Sequence, residues 1–514
     1  MNVLVPLPFV LPLLGAALAL AMRNHGRALR VLGTVFHIGV VGSTAALLHA
    51  VARDGVVAVQ VSGLPAPLGI TLVADRLSAL LLVVSGVVLL AIMLYAAGEG
   101  GLSAEEPGVF YPAYLTLTAG VCLVFLAGDL FNLFVAFEVM LASSYVLLTL
   151  TPTWERMRAG MTYTVVSLTS SILFLTAVGL AYAATGTVNL ADLSGRTAGL
   201  PPGTRSALGL LFLVVFGIKA AVVPMHLWLP DSYPAALTKI TAVFAALLTK
   251  AAVYSLIRVQ TLLFPRDDAS LPMLALAAAT MIVGTLGALA QYDLHRALSF
   301  ILVAHIGYML FGLALFTVAG LAGAILYLVH HIVVQATLFL VSDIMQIETG
   351  EKSLRRLGGL AGGSAFTAVL FLIPALSVSG IPPLSGFVAK LALFQAGIGA
   401  GGAWGRAVTG VAALTGLLTL MAMTRVWTLA FWRPRPPGSG KSPEVREVAT
   451  RTEPGPGERH GLRPIRTVTA AMVGAGLMLV VLAGPLSAWS RDAAQSLADR
   501  TAYRNAVLHG GEAP

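Results

Sequence analysis

The sequence predicts an all-α polytopic membrane protein. Of its 514 residues, 57% are hydrophobic and only 11% are charged, and the mean hydropathy is +0.87. Apolar windows of about 20 residues, the length that crosses a hydrocarbon core, recur from end to end of the chain between short polar breaks. Because backbone groups inside lipid must find hydrogen-bond partners within their own segment, each window is expected to form a helix.

About fourteen such windows are present, and we expect each to be one transmembrane helix. The first has no basic segment before it and no small-residue cleavage site after it, so it is predicted to be a retained span and not a signal peptide. The windows cover residues 2–22, 31–51, 72–97, 108–127, 130–150, 161–184, 206–224, 237–259, 272–290, 298–317, 319–346, 364–397, 407–432 and 466–489.

Positive charge gathers in alternate loops, which predicts the orientation of the chain in the membrane. The more basic side should be cytoplasmic, and an even number of helices then places both termini outside. Arg491, Arg500 and Arg504 in the C-terminal tail oppose this orientation weakly. The basic side carries Arg23, Arg27, Arg30, Arg156, Arg158, Arg296, Lys352, Arg355, Arg356 and the loop after Arg433.

Cys122 is the single cysteine and lies within an apolar window. One cysteine excludes a disulfide within the chain, a cysteine-bound iron–sulfur cluster and a cysteine zinc site. The sequence therefore predicts no metal and no cofactor. The net charge of +9 follows from the loop bias, and nucleic acid is not an expected partner.

Glu138 lies near the middle of the uncharged apolar stretch 130–150. It is about 12 Å of helix away from Asp129, which places the carboxylate near the centre of a hydrocarbon core about 30 Å thick. Holding a charge there costs from ~2.5 kcal/mol upward, so an ionised Glu138 requires a partner. We predict a carboxylate that binds a proton or cation; the alternative is a neutral structural carboxyl held by hydrogen bonds.

Lys219, deep in the window 206–224, is the natural partner of Glu138. A buried lysine changes its protonation state readily, whereas an arginine does not, so an ammonium that moves would switch proton binding at the carboxylate. The alternative is a lysine that extends along the span to the membrane interface.

Further polar residues lie at similar depth in later windows. Lys250 has apolar flanks and is predicted to carry protons, whereas Lys239 is close enough to the start of its helix to reach the interface. His330 and His331 point to different faces, which is poor metal-ligand geometry but suits proton transfer. Gln335 shares a face with His331. His330 and His331 could instead be only hydrogen-bonded within the bundle, and His226 is equally open.

Two windows are interrupted by proline. Pro224 follows Lys219, and Pro382 and Pro383 precede Lys390. Such breaks free backbone carbonyls, which a membrane protein tolerates only inside protein or beside a wet cavity. Paired interrupted helices are typical of a transport site, and packing kinks are the alternative. Lys390 is predicted to be the exit group of the line; the alternative is an anchor for a salt bridge.

Five strings together resemble the large antiporter-like membrane subunits that Mrp-type sodium/proton antiporters share with respiratory complex I, and the D-type subunit most of all. They spread over residues 129–396, about half of the chain, and the combination is more specific than any one of them. The strings are GDLFNLFVAFEVMLASSYVLLTL, IKAAVVPMHLWLPDSYPAA, RALSFILVAHIGYMLFGLALF, ILYLVHHIVVQATLFL and SGIPPLSGFVAKLALFQA.

The resemblance implies a fourteen-helix fold with two inverted five-helix repeats and two discontinuous helices, the seventh and the twelfth. Glu138 and Lys219 would form the central pair, and Lys250, His330 or His331, and Lys390 would continue a hydrated line. The segments would be 1–107 (helices 1–3), 108–260 and 271–432 (the two repeats), 433–465 (a disordered cytoplasmic loop), 466–489 (helix 14) and 490–514 (a tail).

The chain departs from the family pattern at two positions. Gln335 stands where relatives often carry lysine, and Lys239 stands where they usually have a small residue or proline. The path through the second half is therefore assigned less firmly than the Glu138–Lys219 pair.

The resemblance implies a proton-translocating subunit of a multisubunit Na⁺/H⁺ antiporter in the bacterial cytoplasmic membrane, a transporter and not an enzyme. Its partners would be a larger homologous A-type subunit and several small membrane subunits. The alternative is a proton-pumping subunit of a complex I-like NADH–quinone oxidoreductase. A third hypothesis is an assembly scaffold whose buried charges serve only packing.

Overall fold

The computed structural model describes residues 3–61, 63–98, 106–264, 270–400, 402–436 and 462–510. Most of the loop predicted at 433–465 lies outside these residues. Twelve helices of the described part are long and apolar enough to cross a membrane, and Leu7–Ala21 and Ala365–Ser379 are shorter apolar helices. The prediction of an all-α membrane fold is confirmed.

The helices follow one another along the chain with short connections. They are α1 (Leu7–Ala21), α2 (Gly26–Asp54), α3 (Arg76–Gly98), α4 (Glu106–Leu126), α5 (Leu130–Leu148), α6 (Trp154–Thr185), α7 (Leu190–Arg196), α8 (Pro202–Ala220), α9 (Trp228–Ser232), α10 (Thr238–Val243), α11 (Thr249–Leu262), α12 (Ser270–Ala290), α13 (Leu294–Ala314), α14 (Val318–Thr349), α15 (Leu360–Gly363), α16 (Ala365–Ser379), α17 (Ser385–Gly399), α18 (Ala403–Trp427), α19 (Leu462–Val481), α20 (Ala483–Ala498) and α21 (Thr501–Leu508). A π-helical stretch, Phe244–Leu248, joins α10 to α11.

A two-stranded antiparallel hairpin between α2 and α3 was not predicted. Strands β1 (Val57–Gln60) and β2 (Thr71–Ala74) pair with Val57 opposite Ala74. Alternating β-branched residues in β1, followed by glycine and proline, are a strand-and-turn pattern that the hydropathy of the neighbouring spans conceals. We call the end of the bundle that carries this hairpin the hairpin end.

Two of the apolar windows contain interrupted helices. Helix α8 ends at Ala220, where Ala221 adopts a left-handed conformation (φ 61°), and helix resumes only at Trp228. Helix α16 ends at Ser379, Gly380 is left-handed (φ 89°), and α17 begins at Ser385. The prolines of each window lie at or after these ends, because a proline lacks the N–H that continuing the helix requires.

The segment from α5 to α6 closely matches the segment from α13 to α14. Asp129 and Asp293 cap α5 and α13 with their side chains, and both α6 and α14 have 32 residues. Each long helix begins after a capping threonine, Thr153 or Thr317, and ends at a left-handed glycine, Gly186 or Gly350. The number of residues between the two members is the same for all three pairs, Asp129/Asp293, Thr153/Thr317 and Gly186/Gly350.

The capping aspartates also lie in equivalent surroundings. Asp129 pairs with Asn189 in an isolated antiparallel bridge, and Asp293 pairs with Ser353 in the same way. Each bridge brings the start of the shorter helix beside the chain that follows the longer one. The two bridges lie at opposite ends of the bundle: Gly128 donates to Thr71 of the hairpin, whereas Arg296, next to Asp293, forms an ion pair with Asp231.

Candidate functional site

Glu138 and Lys219 are brought together through a third side chain, Ser171 of α6. The Ser171 hydroxyl donates a short hydrogen bond to Oε1 of Glu138, and Nζ of Lys219 donates to the same hydroxyl oxygen at 3.1 Å. Lys219 is 8% exposed and Ser171 is 4% exposed, while Glu138 is only partly buried in the isolated chain. The carboxylate and the ammonium are therefore connected by one hydroxyl and not by direct contact.

The local sequence explains this geometry. Glu138 faces inward from α5, and Lys219 lies in the last turn of α8, just before the left-handed Ala221 ends the helix. The Lys219 ammonium also lies 5.1 Å from the centroid of the Phe137 ring, whose face attracts cations. A lysine at the C-terminal end of a helix is further stabilised by the negative end of the helix dipole.

A small cavity adjoins Lys219 on the side of α10 and α11. Its volume is about 20 Å³, enough for one water molecule. Ser167 and Ser170 of α6 line it together with Tyr163, Lys219 and Leu248. The hydroxyls give the cavity the polar partners that a bound water needs.

Lys250 is completely buried, two residues beyond Leu248 in the wall of that cavity. Its amine donates a short hydrogen bond to the carbonyl oxygen of Ala245, within the π-helical stretch that precedes it. Such stretches leave backbone carbonyls without their usual α-helical partner and are frequent at functional sites. The buried ammonium is thus held by a carbonyl and faces no carboxylate among the described residues.

The two predicted histidines lie in a larger cluster of buried rings. Nδ1 of His330 is 3.0 Å from the Ser385 hydroxyl at the start of α17. The ring of His331 lies 5.1 Å from that of His305, centroid to centroid, and both of its nitrogens are buried without a hydrogen-bond partner. Nδ1 of His305 is in turn 2.8 Å from the hydroxyl of Tyr327.

Lys390 lies across the second helix break. Its ammonium donates to the carbonyls of Val378 and Ser379 at 3.0 and 2.9 Å, and it is 5.0 Å from the centroid of the Tyr308 ring. A Cβ at Gly380 would lie 2.7 Å from the Lys390 side chain, so glycine is required there for space as well as for its positive φ. The anchor observed for this lysine is backbone carbonyl, and no salt bridge to it occurs among the described residues.

The remaining candidates occupy separate places. His226 is 6% exposed after the first break, with Nδ1 lacking a hydrogen-bond partner. Gln335 is fully buried and donates to the carbonyl of Leu298 at 3.0 Å. The expectation that Lys239 reaches the interface is wrong: it is 5% exposed and lies 5.8 Å from the Phe110 ring, because α10 packs against α14 and α3 and not at the surface.

Sequence reasoning missed the side chains that connect the charged residues. Ser171, His305, Tyr308 and Tyr327 stand in apolar windows, where serine, histidine and tyrosine are ordinary and carry no charge pattern. The available clue was spacing: Tyr163, Ser167, Ser170 and Ser171 recur on one face of a single helix.

Known proteins share both the sequence and the site-bearing helices of this chain. The family model described as "NADH:quinone oxidoreductase/Mrp antiporter, TM" matches residues 127–416. The chain is 36% identical to the D-type Na⁺/H⁺ antiporter subunit of Alkalihalophilus pseudofirmus over 99% of this chain and 100% of that protein. It is 37% identical to the D-type Na⁺/H⁺ antiporter subunit of Bacillus subtilis over 84% of this chain and 87% of the relative.

Solved structures show the same relationship. A chain of the Mrp complex from Dietzia sp. superimposes with a TM-score of 0.90 at 33% identity, covering 99% of this chain and 100% of that one. A chain of an archaeal membrane-bound sulfane sulfur reductase shares the fold, with a TM-score of 0.87 at 22% identity over 99% and 100% of the two chains. The protein is a multi-pass membrane protein that belongs to the NADH:quinone oxidoreductase/Mrp antiporter transmembrane family.

Proposed function

We propose that this chain is the proton-translocating subunit of a multisubunit Na⁺/H⁺ antiporter. The observation that carries the proposal is the Glu138–Ser171–Lys219 bridge, a carboxylate and an ammonium joined by one hydroxyl within the bundle. Its relatives along almost the whole chain are antiporter subunits, which are transporters and not enzymes. Movement of one elementary charge through 100 mV releases about 2.3 kcal/mol, which is ample drive for exchange.

In the proposed mechanism, a proton arriving at Glu138 neutralises the carboxylate and removes the charge that holds Lys219 through Ser171. The freed ammonium then turns toward the cavity beside Leu248, on the path to Lys250. From there His331 and His330 lead to Lys390, with the unpartnered ring nitrogens available to bind and release a proton. His226 and Gln335 line the route without a required step.

The proposal includes the assembly and its orientation. The chain would work in a hetero-oligomer with a larger homologous A-type subunit and small membrane subunits, in the bacterial cytoplasmic membrane with both termini outside. The hairpin end is then the outer end. The two matched segments, α5–α6 and α13–α14, would be parts of the two inverted repeats, 108–260 and 271–432, and their bridges at opposite ends support this.

A redox-driven pump is the alternative within the same family. The antiporter subunits match the chain at 36–37% identity, whereas the archaeal respiratory chain shares only the fold at 22%. Exchange that runs on an imposed ion gradient, without an electron donor, separates the two functions.

The test is Glu138→Gln in the complete complex, with ΔpH dissipation followed by fluorescence in inverted vesicles after addition of Na⁺, K⁺ or Li⁺. We expect at least a roughly tenfold loss of Na⁺-driven exchange with assembly intact, since the neutral amide cannot switch its charge. Glu155→Gln is the matched control, because that carboxylate is 65% exposed and 4.0 Å from Lys352. Normal exchange in Glu138→Gln would leave the scaffold hypothesis.

A further inference from the structure

A buried ion pair at the hairpin end lies outside the line from Glu138 to Lys390. Nη1 of Arg258 donates to Oδ2 of Asp75 at 2.6 Å, and both side chains are at most 5% exposed. Asp75 precedes α3 and follows the hairpin strand β2, while Arg258 is on α11. The arginine keeps the pKa of the Asp75 carboxyl below its ordinary value although burial acts to raise it, so the pair is fully charged.

Arg258 shares a helix face with Lys250. Lys250, Tyr254 and Arg258 follow one another at four-residue spacing, so the guanidinium is about 12 Å further along α11 than Lys250. Nη2 of Arg258 donates to the Tyr254 hydroxyl at 3.2 Å, and that hydroxyl donates to the carbonyl of Phe125 at 2.8 Å. The Lys250 amine bonds to Ala245, on the side of Lys250 away from Arg258.

The C-terminal segment covers this pair. The Tyr503 ring of α21 lies 5.2 Å from the Arg258 guanidinium carbon. Trp489 donates to the carbonyl of Arg76 at 2.9 Å, Arg76 is 3.3 Å from Asp492, and Arg500 donates to the carbonyl of Leu262 at 3.3 Å. Helices α20 and α21 are therefore fastened over the ends of α3 and α11.

An arginine occupies the corresponding place in the second half. Its guanidinium, on Arg425 of α18, donates to the carbonyls of Leu289 and Gln291 and lies 4.7 Å from the Tyr292 ring. Leu289 is separated from Phe125 by the same number of residues as the two capping aspartates are from each other. The last helix of each half thus brings an arginine to the end where Asp129 or Asp293 caps the second helix of that half.

We propose that Arg258, held by Asp75 and covered by Tyr503, is an ion-excluding plug that closes the hairpin end of the Lys250 path. A guanidinium does not lose its proton at physiological pH, so it is a fixed positive charge that repels protons and Na⁺. Charge moving from Lys219 to Lys250 cannot leave along α11 and must continue toward His331 and Lys390. The inference rests on the proposed function and adds residues that prevent a leak.

The main test is the double variant Asp75→Asn/Arg258→Gln, which removes both charges and leaves no unpaired buried ion. In vesicles carrying the complete complex in Na⁺-free medium, we expect an imposed ΔpH to collapse about tenfold faster than in the wild type. The control is Arg53→Gln/Asp54→Asn, an exposed ion pair of 2.9 Å at the same end of the bundle. A wild-type rate of collapse, with the complex assembled, would overturn the proposal.

Tyr503 gives an independent test if the double variant fails to assemble. Tyr503→Ala removes the cover and should accelerate the Na⁺-free collapse of ΔpH, whereas Tyr503→Phe keeps the ring and should restore the wild-type rate. Equal rates for both variants would contradict the plug. Glu138→Gln in the same vesicles keeps the two failures apart, because it tests Na⁺-driven exchange and not the leak.

Discussion

The two halves of the bundle share a backbone plan but place different chemistry on it. With the constant separation that relates Asp129 to Asp293, Tyr163 matches Tyr327 and Ser167 matches His331. The same separation pairs Glu138 with Leu302 and Ser171 with Gln335. The second half therefore has no carboxylate where the first half has its acid.

The lysines at the two helix breaks show the consequence. Lys219 is held through a hydroxyl by a carboxylate, which can take up a proton and lose its charge. Lys390 is held by the carbonyls of Val378 and Ser379, which the end of α16 leaves free and which do not titrate. In the proposed mechanism the first half therefore switches and the second half conducts.

The largest expected effect compares Lys390→Met with Lys219→Met. Without Lys390, two buried carbonyls lose their partner at about 1–3 kcal/mol each, so we expect a loss of about 2–5 kcal/mol in the free energy of unfolding. Lys219→Met should cost less, because Glu138 can become neutral by binding a proton. Thermal unfolding of the purified complex, followed through a tag on this chain, measures both, and the reverse order would contradict the comparison.

Ser171→Ala should have the next largest effect. Loss of the hydroxyl breaks the only described connection between Glu138 and Lys219, so Na⁺-driven exchange should fall about tenfold, the equivalent of 1.4 kcal/mol. Ser171→Thr keeps the hydroxyl and should retain exchange. Thr169→Ala is the matched control, because that hydroxyl is on the exposed face of the same helix and bonds only to Val165. Equal losses in the alanine and threonine variants would show that the hydroxyl is not what matters.

The sequence was sufficient for the membrane fold, the interrupted helices and the charged members of the site. Charges in apolar windows are conspicuous because their cost in lipid is high. Ser171 and His305 were missed because a hydroxyl or imidazole costs less there and its role depends on which helices pack together. The carbonyl anchor of Lys390 was likewise invisible, since every residue has a carbonyl and only the fold shows which one is free.

The helix caps at Asp129 and Asp293 sharpen the comparison with a smaller effect. Burial raises the pKa of Asp129 to about 6, and its Oδ2 is buried without a hydrogen-bond partner. A raised native pKa favours the protonated native state, so this contribution to stability is present below pH ~4 and is lost as pH rises through about 6. Asp129→Asn still caps α5 and should gain about 1 kcal/mol at pH 8 but not at pH 4.

Thermal unfolding of the purified complex as a function of pH tests this, with Asp293→Asn at the corresponding, partly exposed cap as the control. A gain that is the same at pH 4 and pH 8 would show that the buried charge is not its source.

The smallest effect is expected at Gln335, the counterpart of Ser171. Its amide donates to the Leu298 carbonyl, and the matching acid position is Leu302, so there is no carboxylate for it to connect to a lysine. Gln335→Leu leaves one carbonyl without this partner and should lower exchange by about twofold, the equivalent of ~0.4 kcal/mol, far less than Ser171→Ala. Vesicle assays of the two variants side by side decide the matter: a loss at Gln335 as large as that at Ser171 would mean that both halves switch.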